Sequence, residues 1–82
     1  MEHSERGRYV TEQVSLWIQN DGVFFEPAKG MASEPRVLGI YLTIAIKTAR
    51  RGTAPWHVAQ ELAANDYGRI DWAQVARDLT GE

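Results

Sequence analysis

Residues 35–51 read PRVLGIYLTIAIKTARR, and the predicted fold is built around this stretch. Ser33 and the proline two residues later form a helix start signal, because a capping side chain precedes a proline of the first turn. Three cations followed by Gly52 form the matching stop signal, since positive charge and glycine favour a helix C-terminus. We predict a helix over residues 34–51. The frequent β-branched residues leave a strand over residues 37–46 as the alternative.

The apolar side chains of this predicted helix cover more than half of its circumference, at about 100° per residue. They are Val37, Leu38, Ile40, Tyr41, Leu42, Ile44, Ala45 and Ile46. Such a wide arc needs cover from several sides, so we expect this helix to be central and Ile44 to be buried. A homodimer is one way to cover the arc. In a monomer, Phe24, Phe25 and Met31 are expected to fold over it.

Three shorter helices are predicted to pack against the central one. Thr11 is a suitable N-cap for a helix over residues 11–20, which ends at an Asn-Asp-Gly turn. A Thr-Ala-Pro start signal opens the second helix, over residues 54–65. Asp71 is expected to cap the third, because Gln74 follows three residues later as in a capping box.

The remaining segments are predicted to lack helix. Residues 1–8 have no apolar side chain after the first methionine, so we expect a flexible lead-in. Residues 22–33 contain a proline followed by a glycine and are expected to be mostly irregular. The sequence therefore predicts an all-α fold, a small single-domain bundle of about four helices over residues 9–82.

The composition restricts the class of protein. With 82 residues, of which 44% are hydrophobic and 24% charged, the chain is expected to form one small globular domain. It has no cysteine and no apolar run of about 18 residues, which predicts a cytoplasmic protein without a disulfide or a membrane span. The formal net charge of −2 makes nucleic acid an unfavourable partner.

The sequence contains no recognisable catalytic or cofactor-binding motif. It has no P-loop, no G-x-G-x-x-G and no G-x-S-x-G. His57 and Glu61 stand four residues apart on a predicted helix, a spacing that suits a metal pair or an ion pair. Because no further ligand lies at a suitable spacing, we interpret them as a solvated ion pair. We therefore expect a protein that is not an enzyme and binds no cofactor or metal.

Two segments at the ends of the chain carry distinctive motifs. Residues 9–21 read YVTEQVSLWIQND, and residues 70–79 read IDWAQVARDL. They resemble a family of small uncharacterised domains from phages, plasmids and bacteria, which open with Y-x-T-W-N-V-x-L-W-I-x-N-D and end with I-D-W-x-E-V-A-x-x-L. Glu12 and Gln13 depart from the opening, where the family has Trp and Asn. The resemblance implies an origin in a mobile element and no particular activity.

Five residues are the sequence-based candidates for contact with a partner protein. They are Leu16, Phe24, Arg50, Arg51 and Trp56. Leu16 lies on the polar face of its predicted helix, so either residues 23–32 cover it, which we expect, or a partner does. Arg50 and Arg51 belong with Lys47 to a basic cluster, whose position the negative helix C-terminus already explains.

Two functions are consistent with these features. The first is a non-enzymatic accessory protein of a phage or mobile element, which binds and modulates a host protein. A component of a CRISPR complex or a restriction enzyme is such a target, so the protein would act as an anti-CRISPR or anti-restriction inhibitor. The alternative is a small dimeric DNA-binding transcriptional regulator, since two short helices end the chain. The exposed face of the last helix offers a single cation, Arg77, which is a weak basis for reading DNA.

Overall fold

The computed structural model describes residues 5–81 and confirms the all-α class. Its elements, in chain order, are α1 Glu5–Asn20, α2 Phe25–Gly30, α3 Pro35–Lys47, α4 Ala54–Gln60, a 3-10 helix Ala64–Arg69, and α5 Trp72–Thr80. No strand occurs within the described residues, so the alternative of a strand over residues 37–46 is wrong. Buried hydrophobic side chains from all five α-helices meet in one core.

α1 begins earlier than predicted, at Glu5 rather than at residue 11. Residues 5–8 are therefore helical and not a flexible lead-in, whereas residues 1–4 of that predicted segment lie outside the described residues. The reason is a tertiary contact, because Arg6 in the first turn forms an ion pair with Asp66. A sequence pattern cannot show this contact, since the two residues are 60 positions apart.

α1 also packs against more of the other elements than α3 does. Seven of its residues are buried, against four in α3, and it packs against α2, α4, the 3-10 helix and α5. Thr11 is not an N-cap but lies inside α1, where its hydroxyl accepts a hydrogen bond from the Asp71 N–H at 2.9 Å. The centre of the bundle is therefore α1 rather than α3.

α3 begins at Pro35, as predicted, but ends at Lys47 instead of residue 51. Ser33 does not cap it, since no side chain makes a capping hydrogen bond at this N-terminus. At the other end, the Thr48 hydroxyl donates to the Ile44 carbonyl at 2.7 Å, and the chain then leaves the helix. The local signals thus locate the start of α3 correctly and its end one turn too late.

Residues 22–33 are not mostly irregular, because α2 occupies the middle of this segment. The Asp21 carboxylate opens the turn before α2 by accepting hydrogen bonds from the N–H groups of Val23 and Phe24, at 2.8 and 3.1 Å. Pro27 falls in the first turn of α2, where its missing N–H costs no helical hydrogen bond. The proline was therefore a helix start signal rather than a breaker.

α4 begins at Ala54, as predicted, but ends at Gln60 instead of residue 65. The chain turns there and continues as the 3-10 helix. Asp66 holds this turn, since its carboxylate accepts a hydrogen bond from the Ala63 N–H at 2.7 Å. Residues 64 and 65, which the prediction placed at the end of this helix, therefore belong to a separate helical turn.

α5 agrees most closely with the prediction. Asp71 caps it by accepting a hydrogen bond from the Gln74 N–H at 3.1 Å. One face of the helix enters the core, with Val75, Ala76 and Leu79 buried. Both the cap and the apolar periodicity are local signals, which is why this helix could be read from the sequence.

Asp66 is the charged side chain in the core, with 1% of its surface exposed. Its carboxylate accepts hydrogen bonds from the Arg6 Nη2 at 2.6 Å and from the Arg69 Nη1 at 3.0 Å. The Arg6 guanidinium, together with the Ala63 N–H and Arg69, holds the pKa of Asp66 well below its usual range. This carboxylate thus joins the N-terminus of α1 to the 3-10 helix.

We expect the Asp66→Asn variant to unfold at a lower Tm than the wild type at neutral pH. The folded protein keeps this carboxylate ionised to lower pH than the unfolded chain does, so its stabilising effect is complete above about pH 4. This stabilisation is lost as the pH falls below about 4 toward the lowered pKa of Asp66 in the folded protein. Thermal unfolding followed by circular dichroism across this range should therefore show a Tm gap that narrows on acidification.

The matched control for this experiment is Glu12→Gln, which removes an exposed carboxylate from α1. Its Tm should follow that of the wild type at each pH. A gap between Asp66→Asn and the wild type that stays constant from neutral to acidic pH would contradict the role given to the carboxylate charge.

Candidate functional site

One face of α3 is apolar and exposed to solvent. Val37, Ile40 and Ile44 lie on successive turns of the helix and expose 44%, 58% and 57% of their surface. We call these three residues the apolar α3 face. The opposite side of the helix is buried in the core through Leu38, Leu42 and Ile46. The expectation of a fully wrapped helix with Ile44 in the core is therefore wrong, because the neighbouring elements cover only one side.

The residues expected to cover α3 pack beside the apolar α3 face and leave it exposed. Phe24 lies between Trp17 and Tyr41, with ring-centroid distances of 5.8 and 6.1 Å. Tyr41 is about 100° around the helix from its neighbour at position 40, so Phe24 covers the edge of the arc and not its middle. Phe25 and Met31 are half-buried against the core.

Two grooves lie on either side of Ile44. One, of about 740 Å³, lies between α3, the turn before α2 and the start of α4. Its lining includes Phe24, Ile44, Arg50 and Pro55. The other, of about 340 Å³, lies between α3 and Trp72. Because Ile44 lines both, the grooves and the apolar α3 face form one continuous surface.

Both ends of the apolar α3 face carry an exposed cation. Arg36 lies one turn before Ile40, and Lys47 lies three residues after Ile44. The Lys47 ammonium stands 4.7 Å from the centroid of the Tyr67 ring. Among the residues that the structure describes, no side chain forms a hydrogen bond or ion pair with Arg36. α3 itself contains no acidic residue.

The five sequence-based candidates do not form one surface. Phe24 and Arg50 lie in the larger groove, next to Ile44. Arg51 and Trp56 instead contact each other, with the guanidinium carbon 6.0 Å from the ring centroid. Only the first two therefore belong to the surface that includes the apolar α3 face.

Leu16, the fifth candidate, lies elsewhere on the molecule. It is 54% exposed and lines a groove between α1 and α5. Residues 23–32 do not cover it, so that expectation is wrong. α2 packs against α5, α1 and α3, and it leaves the side of α1 that carries Leu16 exposed.

The sequence reasoning missed the apolar α3 face, although a signal for it was present. At about 100° per residue, Arg36 and Lys47 fall within roughly 40° of Ile40 around the helix. Charged side chains at both ends of one stripe indicate that the stripe faces solvent. The positions of Arg36 and Lys47 in the sequence were therefore a signal for the side of α3 that is exposed to solvent.

His57 and Glu61 do not form the predicted ion pair. α4 ends before Glu61, whose carboxylate instead accepts a hydrogen bond from the Tyr9 hydroxyl at 2.9 Å. This hydrogen bond raises the pKa of Tyr9. Within residues 5–81, no three His, Asp or Glu side chains are grouped so that they could hold a metal ion.

The polar side chains of α5 are used in contacts within the protein. Asp78 accepts hydrogen bonds from the Ser15 hydroxyl and from the Gln74 amide, both at 2.8 Å. Arg77 donates to the Gln74 side-chain oxygen at 2.9 Å. The loop and 3-10 helix between α4 and α5 are also longer than the three or four residues that join a helix-turn-helix pair.

Comparison of the chain with protein-family models, with curated proteins and with solved structures finds no significant match. The resemblance of the two terminal motifs to small phage and plasmid domains stays a prediction from the sequence. None of the helices within residues 5–81 is both long and apolar enough to cross a membrane.

Proposed function

We propose that this protein is a non-enzymatic binding module and that the apolar α3 face contacts its partner protein. The observation that carries this proposal is the exposure of three large aliphatic side chains on successive turns of one helix. Scattered apolar residues on a surface need no explanation, but a continuous patch bordered by charges is typical of an interaction site. The grooves beside Ile44 extend the patch on both sides.

Burial of the apolar α3 face against a partner would contribute part of the free energy of binding. Full burial of an aliphatic side chain contributes roughly 1.5–3 kcal/mol, so covering the exposed parts of these three would contribute about 2–5 kcal/mol. A stable interface buries about 800 Å² on each partner, which is more than three side chains supply. The walls of the two grooves, with Phe24, Arg50 and Trp72, would supply further contact area.

The partner that we propose is a host protein, and the role is that of an accessory protein of a phage or mobile element. The two motifs at residues 9–21 and 70–79 support this origin. A component of a host defence system, such as a CRISPR complex or a restriction enzyme, is the proposed class of target. Binding alone suffices for such a role, because an occupied surface blocks the function of the target.

Site-specific photo-crosslinking tests the binding proposal. A photoreactive amino acid at position 40 should give a discrete crosslinked product in host cells, whereas the same amino acid at the exposed position 12 on α1 should not. With the photoreactive group at position 44, the substitution Ile40→Asp should reduce the product at least tenfold. Equal products from positions 40 and 12, or no product from position 40, would overturn the proposal.

A further inference from the structure

We propose that the apolar α3 face binds an acidic amphipathic helix, whose apolar side chains contact Val37, Ile40 and Ile44 and whose carboxylates pair with the cations at both ends. This inference rests on the proposed function, because it specifies the chemistry of the partner at that same surface. Three features of α3 point to such a partner: the spacing of its exposed residues, its hydrogen-bonded backbone and the positive sign of its charges.

The exposed residues follow one line along the helix. Arg36, Ile40, Ile44 and Lys47 are separated by four, four and three positions, which is the spacing of one helical face. At about 1.5 Å per residue, the two cations lie roughly 16 Å apart along the axis. Apolar anchors at such intervals are the pattern by which a helix docks on a hydrophobic surface.

The backbone of α3 offers no hydrogen-bond pairing to an extended partner on this face. The peptide groups in the middle of α3 are hydrogen-bonded within the helix, so they offer nothing to a neighbouring strand. An extended segment laid over aliphatic side chains would lack partners for the N–H and C=O groups that face α3, and water would have to bond the others. A helix satisfies its peptide groups internally, and it is therefore the form of chain that suits this face best.

The charges of α3 indicate the sign of the charge that a partner should carry. α3 carries two cations and no acid, although the whole chain has a formal net charge of −2. Asp21 lines the larger groove, but its carboxylate is occupied by hydrogen bonds from the Trp17 indole at 2.8 Å and from two backbone N–H groups. The charges that this surface presents to a partner are therefore the cations Arg36, Lys47 and Arg50.

The α3 helix of a second copy of this chain does not complement the charges of this surface. If two α3 helices paired antiparallel, Arg36 of each copy would face Lys47 of the other. If they paired parallel, each cation would face its own equivalent. Like charges oppose in both arrangements, and such juxtaposition disfavours a complex. A helix with carboxylates at its two ends removes this repulsion and adds attraction.

Two synthetic helical peptides test the inference on the full chain. Both have about 16 residues, with leucines at the spacing i, i+4 and i+7 in an alanine and glutamine background. One carries glutamates at both ends, and the other carries lysines at the same positions. In fluorescence anisotropy, the glutamate peptide should bind at least about tenfold more tightly than the lysine peptide, and the difference should shrink at high salt.

Two variants provide the matched controls. The double substitution Arg36→Glu and Lys47→Glu should reverse the preference, so that the lysine peptide binds more tightly. Ile40→Asp should weaken the binding of both peptides, and circular dichroism should show that all variants keep their helix content. Equal binding of the two peptides, or none of either, would overturn the inference.

The remaining outcomes separate this inference from the proposed function. If the crosslink from position 40 persists but the glutamate peptide does not bind, the binding module stands and the acidic helix is wrong. If light scattering shows a dimer that Ile40→Asp dissociates, the occupant is a second copy and the inference is overturned. Loss of both the crosslink and the peptide binding would reject both proposals.

Discussion

Replacing Leu42 by alanine is expected to lower the free energy of unfolding by about 2–5 kcal/mol. Leu42 lies on the inner side of α3 and is fully buried, so its removal leaves a cavity as well as less apolar burial. A domain of this size has a total stability of only about 5–10 kcal/mol, so this single change removes a large share of it. Urea unfolding followed by circular dichroism measures the difference.

The control for this prediction stands two residues further along the same helix. Ile44→Ala removes a side chain that is 57% exposed, and we expect it to cost less than about 1 kcal/mol. Alanine is also the better helix former, which offsets part of the lost contact. Equal costs for Leu42→Ala and Ile44→Ala would show that the inner and outer sides of α3 have been assigned wrongly.

Replacing Gly39 by alanine is expected to destabilise the fold by about 1–3 kcal/mol. In the middle of an exposed helix, the same change would stabilise by roughly 1 kcal/mol. Here the added Cβ would lie 2.7 Å from Cδ1, 2.8 Å from Nε1 and 2.9 Å from Cγ of Trp72. Cγ is the atom by which the ring is attached, so the whole indole must move away from α3.

A double-mutant cycle with Trp72→Ala checks this explanation. Without the indole, the Cβ at position 39 has space, and Gly39→Ala should then stabilise the helix. The two substitutions should therefore be strongly coupled in urea unfolding. If Gly39→Ala has the same effect with and without the indole, the close contact with Trp72 is not what requires glycine at this position.

These expected results separate folding from binding on a single helix. Leu42 and Gly39 face the core and Trp72, so substitutions there act on stability. Ile40 and Ile44 face solvent, so substitutions there should act on binding with little effect on the fold. α3 therefore allows the proposed function to be tested in variants that remain folded.

Local patterns were enough to predict where α3, α4 and α5 begin, but they did not predict the start of α1 or the presence of α2. Pro35 and Asp71 mark the starts of α3 and α5 because a proline and a capping carboxylate act within one turn of their own position. Helix ends were predicted less accurately. α4 ends before residue 65 because Asp66 organises the turn that follows the helix. Of the five sequence-based candidates, Phe24 and Arg50 lie beside Ile44, and their contact with a partner stays a prediction.

The all-α class, the small single core and the apolar character of α3 follow from periodicity and composition, which depend on neighbours in the sequence. Which helix is central, where α1 begins and which side of α3 is exposed depend on contacts between distant residues. Arg6 extends α1 through its ion pair with Asp66, and Phe24 packs at the edge of α3 instead of over it. Periodicity shows how much apolar surface a helix has, but the number and placement of its neighbours limit how much of that surface can be buried.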